Sequence, residues 1–308
     1  MEPKTIIVVG SANMDLVMQV SRLPRPGETL VGTDFMTAHG GKGANQAVAA
    51  ARLGANVIFV GCVGEDSFGA LQREKFVREG IRVDFMKTSE TSPTGTALIM
   101  LAESGQNVIV IAPAANHDVL PEDIDPLQDL FLQADMLISQ LEIPLATVRA
   151  SLDLARRTDT FSVLDIGLAQ AVPAALLSTA TLVSPNETEA EALTGITVDS
   201  VDTARKAAQQ LRDMGVEHVV MKLGEKGCLY LGKEEIYVPA FEIPALDTTA
   251  AGDAFTAALG IAWGTMPLRD ALEFANATGA LAATVVGAQP SMPTRNAVLE
   301  FLEKRKQP

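Results

Sequence analysis

Short β-branched segments alternate with helical patterns along this chain, and that alternation constrains its fold more than any other feature. The predicted strands are Thr5–Gly10, Val57–Val60, Met136–Ser139, Ser162–Asp165, Leu182–Ser184 and His218–Leu223. The predicted helices are Gly43–Leu53, Leu71–Glu79, Leu145–Arg157, Glu187–Leu193 and Val201–Met214, and the chain after Ala251 is nearly all helical. Such alternation requires right-handed crossovers, which make the strands parallel and cover both faces of the sheet. We therefore predict an α/β fold with a central, mostly parallel sheet flanked by helices, and a ligand site at the carboxyl ends of its strands.

Two regions without helical periodicity predict a second, smaller sheet. Leu16–His39 has β-leaning segments around a Pro-Arg-Pro-Gly turn, and Thr94–Ala112 has the pattern of a hairpin that turns at Ser104–Gly105. Four strands without helices suggest a sheet that projects from the main body, and over the ligand edge it would act as a lid. We interpret residues 1–308 as one domain, with lid strands inserted at about 15–39 and 94–112. Because exposed sheet edges need covering, we also expect a homodimer formed through the lid.

The charge balance narrows the possible partners. The 308 residues include 24 Lys and Arg against 38 Asp and Glu, a formal net charge of −14. Basic residues cluster only in a short Lys-Arg-Lys near the C-terminus, which argues against nucleic acid and anionic membranes as partners. Two cysteines, Cys62 and Cys228, offer neither a disulfide framework nor a metal-binding spacing, so we expect buried thiols. The sequence shows no signal peptide or transmembrane run, and we expect a cytoplasmic protein.

The segment Asp247–Phe255, D-T-T-A-A-G-D-A-F, gives the strongest indication of chemistry. Three small residues, Ala250, Ala251 and Gly252, precede Asp253 at the start of a predicted helix. Small residues there let backbone N–H groups approach an anion closely, and the helix dipole favours negative charge. A carboxylate in the first turn is placed to take a proton from a group beside that anion, as phosphoryl transfer to a hydroxyl requires. The same pattern also fits an ordinary strand–turn–helix junction with an acid in its first turn.

A glycine-rich loop, His39–Asn45, joins a predicted strand to a helix. Its glycines permit positive φ angles and close backbone approach to a ligand, while Lys42 and Asn45 supply hydrogen-bond donors. The loop lacks the Gly-Lys-Ser/Thr of a Walker A motif. It fits either a ligand-binding loop or a tight turn with a solvated lysine.

Polar side chains also follow other predicted strands. Asn13 and Asp15 come after the first strand, where an amide and an acid can bind adjacent sugar hydroxyls, and Glu142 follows Met136–Ser139 in the same kind of position. Each of these positions also fits a turn that caps its strand.

Two further loops suit a nucleotide and its metal. Asn186 and Glu189 lie three residues apart at a helix start, so both would face one side, and their oxygens suit an outer-shell role around Mg²⁺. The pair equally fits an ordinary helix cap with acids that complement the dipole. The loop Lys222–Gly227 carries two glycines and could wrap phosphates or a ribose.

Taken together and in this order along the chain, these loops match the motifs of a known family. The chain resembles the ribokinase-like (pfkB) family of carbohydrate and nucleoside kinases over essentially its whole length. Two family signatures carry the resemblance: Gly40–Ala55 with its continuation Gly61–Gly69, and Asp247–Phe255. Three further segments resemble the members that phosphorylate ribose: Gly10–Asp15 (G-S-A-N-M-D), Pro185–Glu191 (P-N-E-T-E-A-E) and Gly287–Ser291 (G-A-Q-P-S).

The resemblance implies a role for each candidate residue. Asp253 would deprotonate the terminal hydroxyl of the sugar, while the small residues Ala250, Ala251 and Gly252 would present N–H groups to the transferring phosphoryl group. The sugar would be held by Asn13, Met14, Asp15, Gly41, Lys42, Gly43, Asn45, Glu142 and Asp253. ATP would be bound by Asn186, Lys222, Leu223, Gly224, Glu225, Lys226, Gly227, Gly252 and Asn276. Glu189 would organise Mg²⁺ through water, and K⁺ would be bound by Asp247, Thr249, Ala282, Val285, Gly287 and Ser291.

The implied function is ATP-dependent phosphorylation of the terminal hydroxyl of a sugar, D-ribose to D-ribose 5-phosphate. The alternatives are a family kinase for deoxyribose, fructose, another ketose or a nucleoside, and a catalytically inactive sugar-binding homologue.

Two departures from the usual family pattern bear on the choice between these functions. Members that phosphorylate ribose usually carry Asn-Pro-Ala-Pro where this chain has Asp165-Ile166-Gly167-Leu168, which leaves the sugar open. Lys222 stands where a threonine often contacts phosphate, and its charge would retain phosphate affinity.

Overall fold

Two β-sheets organise residues 3–167 and 172–306, the part of the chain that the computed structural model describes. The strands are β1 (Thr5–Val9), β2 (Asn13–Val20), β3 (Asp34–Gly40), β4 (Asn56–Gly64), β5 (Arg82–Ser89), β6 (Gly95–Ala102), β7 (Asn107–Ala112), β8 (Met136–Gln140), β9 (Phe161–Asp165), β10 (Leu182–Ser184), β11 (His218–Lys222), β12 (Cys228–Leu231) and β13 (Glu235–Val238). The helices are α1 (Lys42–Arg52), α2 (Ser67–Arg78), α3 (Pro121–Ile124), α4 (Gln128–Leu132), α5 (Leu145–Arg157), α6 (Ala174–Leu177), α7 (Glu187–Thr194), α8 (Val201–Asp213), α9 (Ala251–Ala262), α10 (Leu268–Ala282), α11 (Ala288–Ser291) and α12 (Arg295–Lys306).

The larger sheet runs in the order β13-β12-β11-β10-β9-β8-β1-β4-β5 within these residues. The strands from β11 to β5 pair in parallel, and β12 and β13 add an antiparallel edge. Apolar side chains of α1, α9 and α10 pack on one face of this sheet, and those of α5 and α8 pack on the other. The α/β fold with a mostly parallel sheet between helices is therefore confirmed.

The second sheet has the order β3-β2-β6-β7, and it is built from the two segments that lack helical periodicity. The central strands β2 and β6 pair in parallel, while β3 and β7 pair antiparallel on the outside. Every residue of β7 is exposed, although the strand includes Val108, Ile109, Val110 and Ile111. Because successive side chains of a strand point to opposite faces, β7 presents apolar side chains to the solvent on both faces of the small sheet.

Three strands of the larger sheet, β5, β12 and β13, were absent from the sequence prediction. β5 reads R-V-D-F-M-K-T-S and β13 reads E-I-Y-V, so each mixes charged and apolar side chains. Both are edge strands, and edge strands bury fewer of their side chains than central strands do. β12 is buried but short, and it follows β11 directly through a glycine turn.

Cys62 and Cys228 are both buried as free thiols, as expected from their spacing. None of the helices in the described ranges combines the length and apolar character that crossing a bilayer requires.

Candidate active site

A cavity of about 930 Å³ opens beside the carboxyl ends of β10 and β11 and the start of α9. The predicted site residues that line it are Lys42, Asn186, Glu189, Lys222, Gly224, Glu225, Lys226, Gly227, Ala250, Ala251, Gly252, Asp253 and Asn276. These residues come from five separate stretches of sequence, and the parallel strand order brings the stretches to one edge of the sheet.

The start of α9 forms one end of the cavity. Ala250 precedes the helix with φ 59°, in the left-handed region, where a non-glycine residue costs about 1–2 kcal/mol. The first residues of α9 line the cavity, where the helix dipole favours an anion, and the Ala251 N–H donates to the Thr248 carbonyl oxygen at 3.2 Å. Gly279 lies close behind, since a Cβ there would be 3.1 Å from the Ala251 carbonyl oxygen.

The Asp253 carboxylate is buried in the first turn of α9, with 3% of the residue exposed. Its Oδ2 accepts a hydrogen bond from Asn45 Nδ2 at 2.9 Å, and its Oδ1 accepts one from Gln46 Nε2 at 3.1 Å. The Lys42 ammonium lies 3.8 Å from Oδ1. Burial, reinforced by the nearby Asp165 charge, raises the pKa of Asp253, although Lys42 and the two amides oppose that rise. A carboxylate with a raised pKa is a stronger proton acceptor, as a general base must be.

Lys42 begins α1, directly after Gly41, whose φ is 90°. A Cβ at Gly41 would come within 2.8 Å of the Asn13 backbone nitrogen, so the turn requires glycine on both counts. Burial disfavours the charge on Lys42, but the carboxylates of Asp253 and Asp165 outweigh it and raise the pKa of the ammonium. Lys42 therefore stays charged beside the Asp253 carboxylate.

Asn45 leaves one atom without a partner at this point. Its Nδ2 donates to Asp253, while its Oδ1 is buried and accepts no hydrogen bond from the residues that the structure describes. Buried polar atoms in folded proteins are normally paired. An unpaired acceptor beside a buried carboxylate is the arrangement that a ligand hydroxyl would complete.

The remaining candidate sugar residues gather on the far side of Lys42. Asp15 packs against Gly40, where a Cβ would meet its carboxylate at 2.2 Å. Burial, and then the nearby Glu142 charge, raises the pKa of Asp15 to about 7. Glu142 accepts hydrogen bonds through Oε2 from Ser11 Oγ at 2.6 Å and from the Lys42 backbone N–H at 3.1 Å. Its carboxylate thereby fixes the start of α1.

Asn13 is oriented by a neighbour that the sequence did not single out. Its Oδ1 accepts from Asn116 Nδ2 at 2.7 Å, and Asn116 Oδ1 accepts from the Ala12 N–H at 2.8 Å. With its oxygen occupied, Asn13 has its amide hydrogens left as donors.

Asn186 and Glu189 form a capping box at the start of α7. Asn186 Oδ1 accepts from the Glu189 N–H at 2.8 Å, and Glu189 Oε2 accepts from the Asn186 N–H at 2.8 Å. The helix-cap interpretation is therefore observed, and both residues line the cavity as well. Groups of three or more His, Cys, Asp or Glu placed to hold a metal do not occur within residues 3–167 and 172–306. One carboxylate at the cavity wall fits Mg²⁺, which usually keeps several waters and binds substrate phosphates.

Lys222, at the end of β11, makes a buried ion pair. Its Nζ donates to Asp165 Oδ1 at 2.7 Å, with 10% of the lysine side chain and none of the aspartate side chain exposed. Gly224–Lys226 then form a single 3₁₀ turn, and Gly227, with φ 97°, packs against the Val238 backbone. Asn276 Nδ2 donates to the carbonyl oxygens of Val238 and Pro239, which fixes its side chain at the cavity wall.

Asp247 joins the two segments predicted to bind a monovalent cation. Its Oδ1 accepts from the Thr249 N–H at 2.9 Å and its Oδ2 from the Gly287 N–H at 2.8 Å. Burial opposes its ionisation, but these hydrogen bonds prevail and lower the pKa of Asp247. A charged carboxylate among turn carbonyls, with the Ser291 hydroxyl in the following helix, is a set of hard oxygen donors that fits K⁺. Ala282 and Val285 would contribute through their carbonyl oxygens, since their side chains are apolar.

Several predicted ligand residues have side chains that do not reach the cavity. The side chains of Met14, in β2, and Leu223, directly after β11, are buried, so only their backbone atoms are available to a ligand. Gly43 lies where a Cβ would be 2.7 Å from the Ser11 nitrogen, which gives it a packing role in seating α1. Leu168 is the last residue of the Asp165–Leu168 segment, which differs from the Asn-Pro-Ala-Pro of other family members, and it lies outside the described residues.

Comparison with known proteins agrees with this geometry. The family described as pfkB family carbohydrate kinase matches residues 3–295. A ribokinase of Haemophilus influenzae is 42% identical over 303 residues, covering 97% of this chain and 99% of that protein. A ribokinase of Bacillus subtilis is 38% identical over 301 residues, with 97% and 99% covered. The solved structure of Arabidopsis thaliana ribokinase complexed with ribose and ATP has a TM-score of 0.91 and 35% identity, covering 98% of this chain and 99% of that chain.

Proposed function

The chain belongs to the pfkB family of carbohydrate kinases, and we propose that it transfers the γ-phosphoryl group of ATP to the terminal hydroxyl of D-ribose, forming D-ribose 5-phosphate. One observation carries the proposal. Asp253 is buried in the first turn of α9, whose first residues line a cavity of about 930 Å³, and the buried Asn45 Oδ1, which has no partner among the described residues, belongs to the same amide that donates to Asp253. A base, an anion site and an incomplete hydroxyl site thus meet at one point.

The chemistry requires one proton transfer and one displacement. The Asp253 carboxylate takes the proton of the sugar hydroxyl, and the hydroxyl oxygen forms a bond to the γ-phosphorus of ATP as the bond to the β-phosphate oxygen breaks. ADP leaves, and the proton held by Asp253 returns to water. The Gly252 N–H stabilises negative charge on the transferring group, and the Ala251 N–H joins it by exchanging its hydrogen bond to the Thr248 carbonyl for one to a phosphoryl oxygen.

Lys42 serves both substrates. Its ammonium lies 3.8 Å from Asp253 and lines the nucleotide cavity, while its backbone N–H is fixed by Glu142 on the sugar side. We propose that it holds the phosphoryl group and the sugar hydroxyl in line, so that little reorganisation remains when both are bound.

The sugar would be recognised by paired hydrogen bonds. Asp15 and Glu142 offer acceptors, Asn13 offers donors, and Asn45 offers the unpaired acceptor next to the base. A site built from buried polar groups discriminates strongly against analogues that lack a hydroxyl, since the protein groups are then left unpaired.

Two metals would support the reaction. Mg²⁺ would be held at the nucleotide phosphates with Glu189 contributing through water, where it supplies charge neutralisation. K⁺ would be held by Asp247, Thr249, Ala282, Val285, Gly287 and Ser291, where it adds positive potential beside the start of α9.

The small sheet would act both as a lid and as a dimer interface. Phe35, Leu98 and Val110 are each about half exposed, and the strand register places these three side chains on the same face of this sheet, on three different strands. A contiguous apolar surface of this kind is unusual on a monomer and typical of an interface. We propose that a second copy covers it in a symmetric homodimer. The two buried free thiols agree with a reducing compartment, and we infer a cytoplasmic location.

A coupled assay of ADP release tests the function. The purified protein is given ATP and either ribose, 2-deoxyribose, fructose, adenosine or no acceptor, and the product is identified by mass and ³¹P NMR. We expect the highest kcat/KM with ribose and a 5-phosphate product. Faster turnover of another acceptor would identify a different family kinase. Calorimetric binding of ribose without ADP release would identify an inactive sugar-binding homologue.

A further inference from the structure

Asp165 lies fully buried at the end of β9 and makes three hydrogen bonds to three different elements. Its Oδ1 accepts from Lys222 Nζ at 2.7 Å, and its Oδ2 accepts from Gln46 Nε2 at 2.7 Å and from Thr256 Oγ1 at 3.1 Å. These donors belong to β11, α1 and α9. One carboxylate therefore ties together the elements that carry the nucleotide loop, the sugar loop and the anion site.

The Gln46 amide extends this network to the base. Its Nε2 donates to Asp165 Oδ2 and to Asp253 Oδ1, so one NH₂ group uses both hydrogens to bridge two carboxylates. Its Oε1 accepts from Gln140 Nε2 at 2.6 Å, which fixes the amide in this orientation. Because Gln46 is buried, its hold on Asp253 depends on Asp165 accepting the other hydrogen.

The other carboxylate oxygen of Asp165, Oδ1, fixes the position of the Lys222 ammonium. Lys222 lines the cavity, and its Nζ would lie 3.8 Å from a Cβ built at Gly252. An ammonium has three donors, and Asp165 occupies one of them. Lys222 is thus held beside the anion site with donors left for a phosphate.

We propose that Asp165 is a positioning residue for phosphoryl transfer, which holds the Lys222 ammonium beside the start of α9 and, through Gln46, holds the Asp253 carboxylate. This proposal rests on the kinase function proposed above. The two positions at which the sequence departs from the usual family pattern are in contact with each other, and each charge is buried only because the other compensates it.

The test separates this role from that of a structural ion pair. Asp165→Asn retains the shape but turns one acceptor oxygen into an NH₂ group, so either Lys222 or Gln46 and Thr256 faces a donor. Lys222→Met removes the cation. The double variant D165N/K222M removes both charges, and replacing a buried pair in this way is often close to neutral for stability. All three variants and the wild type are compared in kcat, in KM for ATP and for ribose, and in melting temperature.

We expect D165N and K222M each to lower both the melting temperature and kcat. The double variant should melt within about 3 °C of the wild type. It should nevertheless keep a roughly 100-fold loss of kcat, since misplaced reacting groups cost on that order. The effect on kcat in D165N should exceed the effect on KM for ribose. Glu79→Gln is the matched control, because it weakens partly buried ion pairs with Arg52 and Lys75, and none of these three residues lines the cavity. Arg52 keeps its hydrogen bonds to the Gln289 and Met292 carbonyl oxygens, so the variant should lower stability alone.

Recovery of kcat to within about threefold of the wild type in the double variant, together with its stability, would show a purely structural pair and overturn the proposal. If D165N alone does not fold, the double variant is compared with K222M, because both lack the Lys222 ammonium and they differ only at Asp165. An equal kcat in these two variants would show that Asp165 does not hold Asp253 through Gln46 and would also overturn the proposal. Wild-type turnover is measured first. Its absence would refute the proposed function itself, whereas the role of Asp165 is refuted only by variants that recover in the presence of wild-type turnover.

Discussion

We expect ionisation of Asp15 to lower the free energy of unfolding as the pH rises. Replacement of Asp15 by asparagine should remove this loss of stability. Burial and the nearby Glu142 charge raise the pKa of Asp15 from 3.8 to about 7. No lysine or arginine in the described residues pairs with it. The carboxylate that we propose to bind sugar hydroxyls therefore lowers the stability of the folded protein when it is ionised.

The sign follows from proton binding. Between pH 3.8 and about 7 the folded state binds more protons at Asp15 than the unfolded state does, so the free energy of unfolding falls as the pH rises through this window. At about 1.4 kcal/mol per pKa unit, the full difference amounts to about 4 kcal/mol above pH 7. The asparagine amide of the variant does not titrate, so D15N escapes this loss.

Urea unfolding of wild type and D15N without ligands, at pH 5 and at pH 8, measures the effect. Titrating groups far from Asp15 contribute equally to both proteins, so the difference between them reports Asp15 together with its interaction with Glu142. We expect the free energy of unfolding of D15N, taken relative to that of the wild type, to rise by a few kcal/mol from pH 5 to pH 8. Asp66→Asn is a control of opposite sign. The hydroxyl and N–H of Thr94 lower the pKa of Asp66 in spite of burial, so its loss should destabilise the protein at pH 8. A difference between D15N and wild type that stays constant with pH would refute the reasoning.

Four further predictions follow from the site and the small sheet. Asp253→Asn should retain ribose binding but lose about 10²–10⁴-fold in kcat, and near-normal turnover would exclude a general-base role. Asp15→Ala should raise KM for the sugar far more than KM for ATP, because it removes charge-assisted hydrogen bonds worth about 1.5–3 kcal/mol each, whereas equal effects would make Asp15 structural. Potassium should raise activity at fixed ionic strength and Asp247→Ala should abolish that rise, while equal rates in choline and potassium salts would argue that no functional cation site exists. Val110→Lys should convert a dimer into a monomer in sedimentation at micromolar concentration, and a monomeric wild type would rule out the lid interface.

The sequence anticipated the elements whose signal is local. The run of small residues before Asp253 predicted both a helix start and an anion site, and the structure places that helix start at one end of the cavity. The glycine loop before Lys42 was likewise predicted to join a strand to a helix, and Gly41 does adopt a positive φ there. Backbone conformation at such positions depends on a few adjacent residues, which is why the pattern was sufficient.

The sequence did not anticipate interactions that depend on which strands become neighbours. Asp165 and Lys222 are 57 positions apart, and they pair because β9, β10 and β11 are adjacent in the sheet. Lys222 was assigned to phosphate alone, and nothing near it in the sequence signals a buried partner. Gln46 and Asn116 were overlooked for the same reason, since a buried amide has no periodic signature and its role is defined by the groups that it bridges.

The hydrogen bond between Asn45 and Asp253 spans 208 residues of the chain. At about 5–20 residues per second, a ribosome needs roughly 10–40 s to add the second partner after the first has been made. During that interval the apolar face of α1 lacks the α9 side chains that cover it in the native core, and Asn45 and Gln46 have no carboxylate of Asp253 to hold. The nascent chain therefore exposes the apolar face of α1 before α9 has been made. A chaperone that protects the chain from aggregation would have to bind this face during that interval. A chain that ends before residue 253 also lacks the carboxylate that we propose as the general base, so we expect phosphoryl transfer to begin only after α9 has been made.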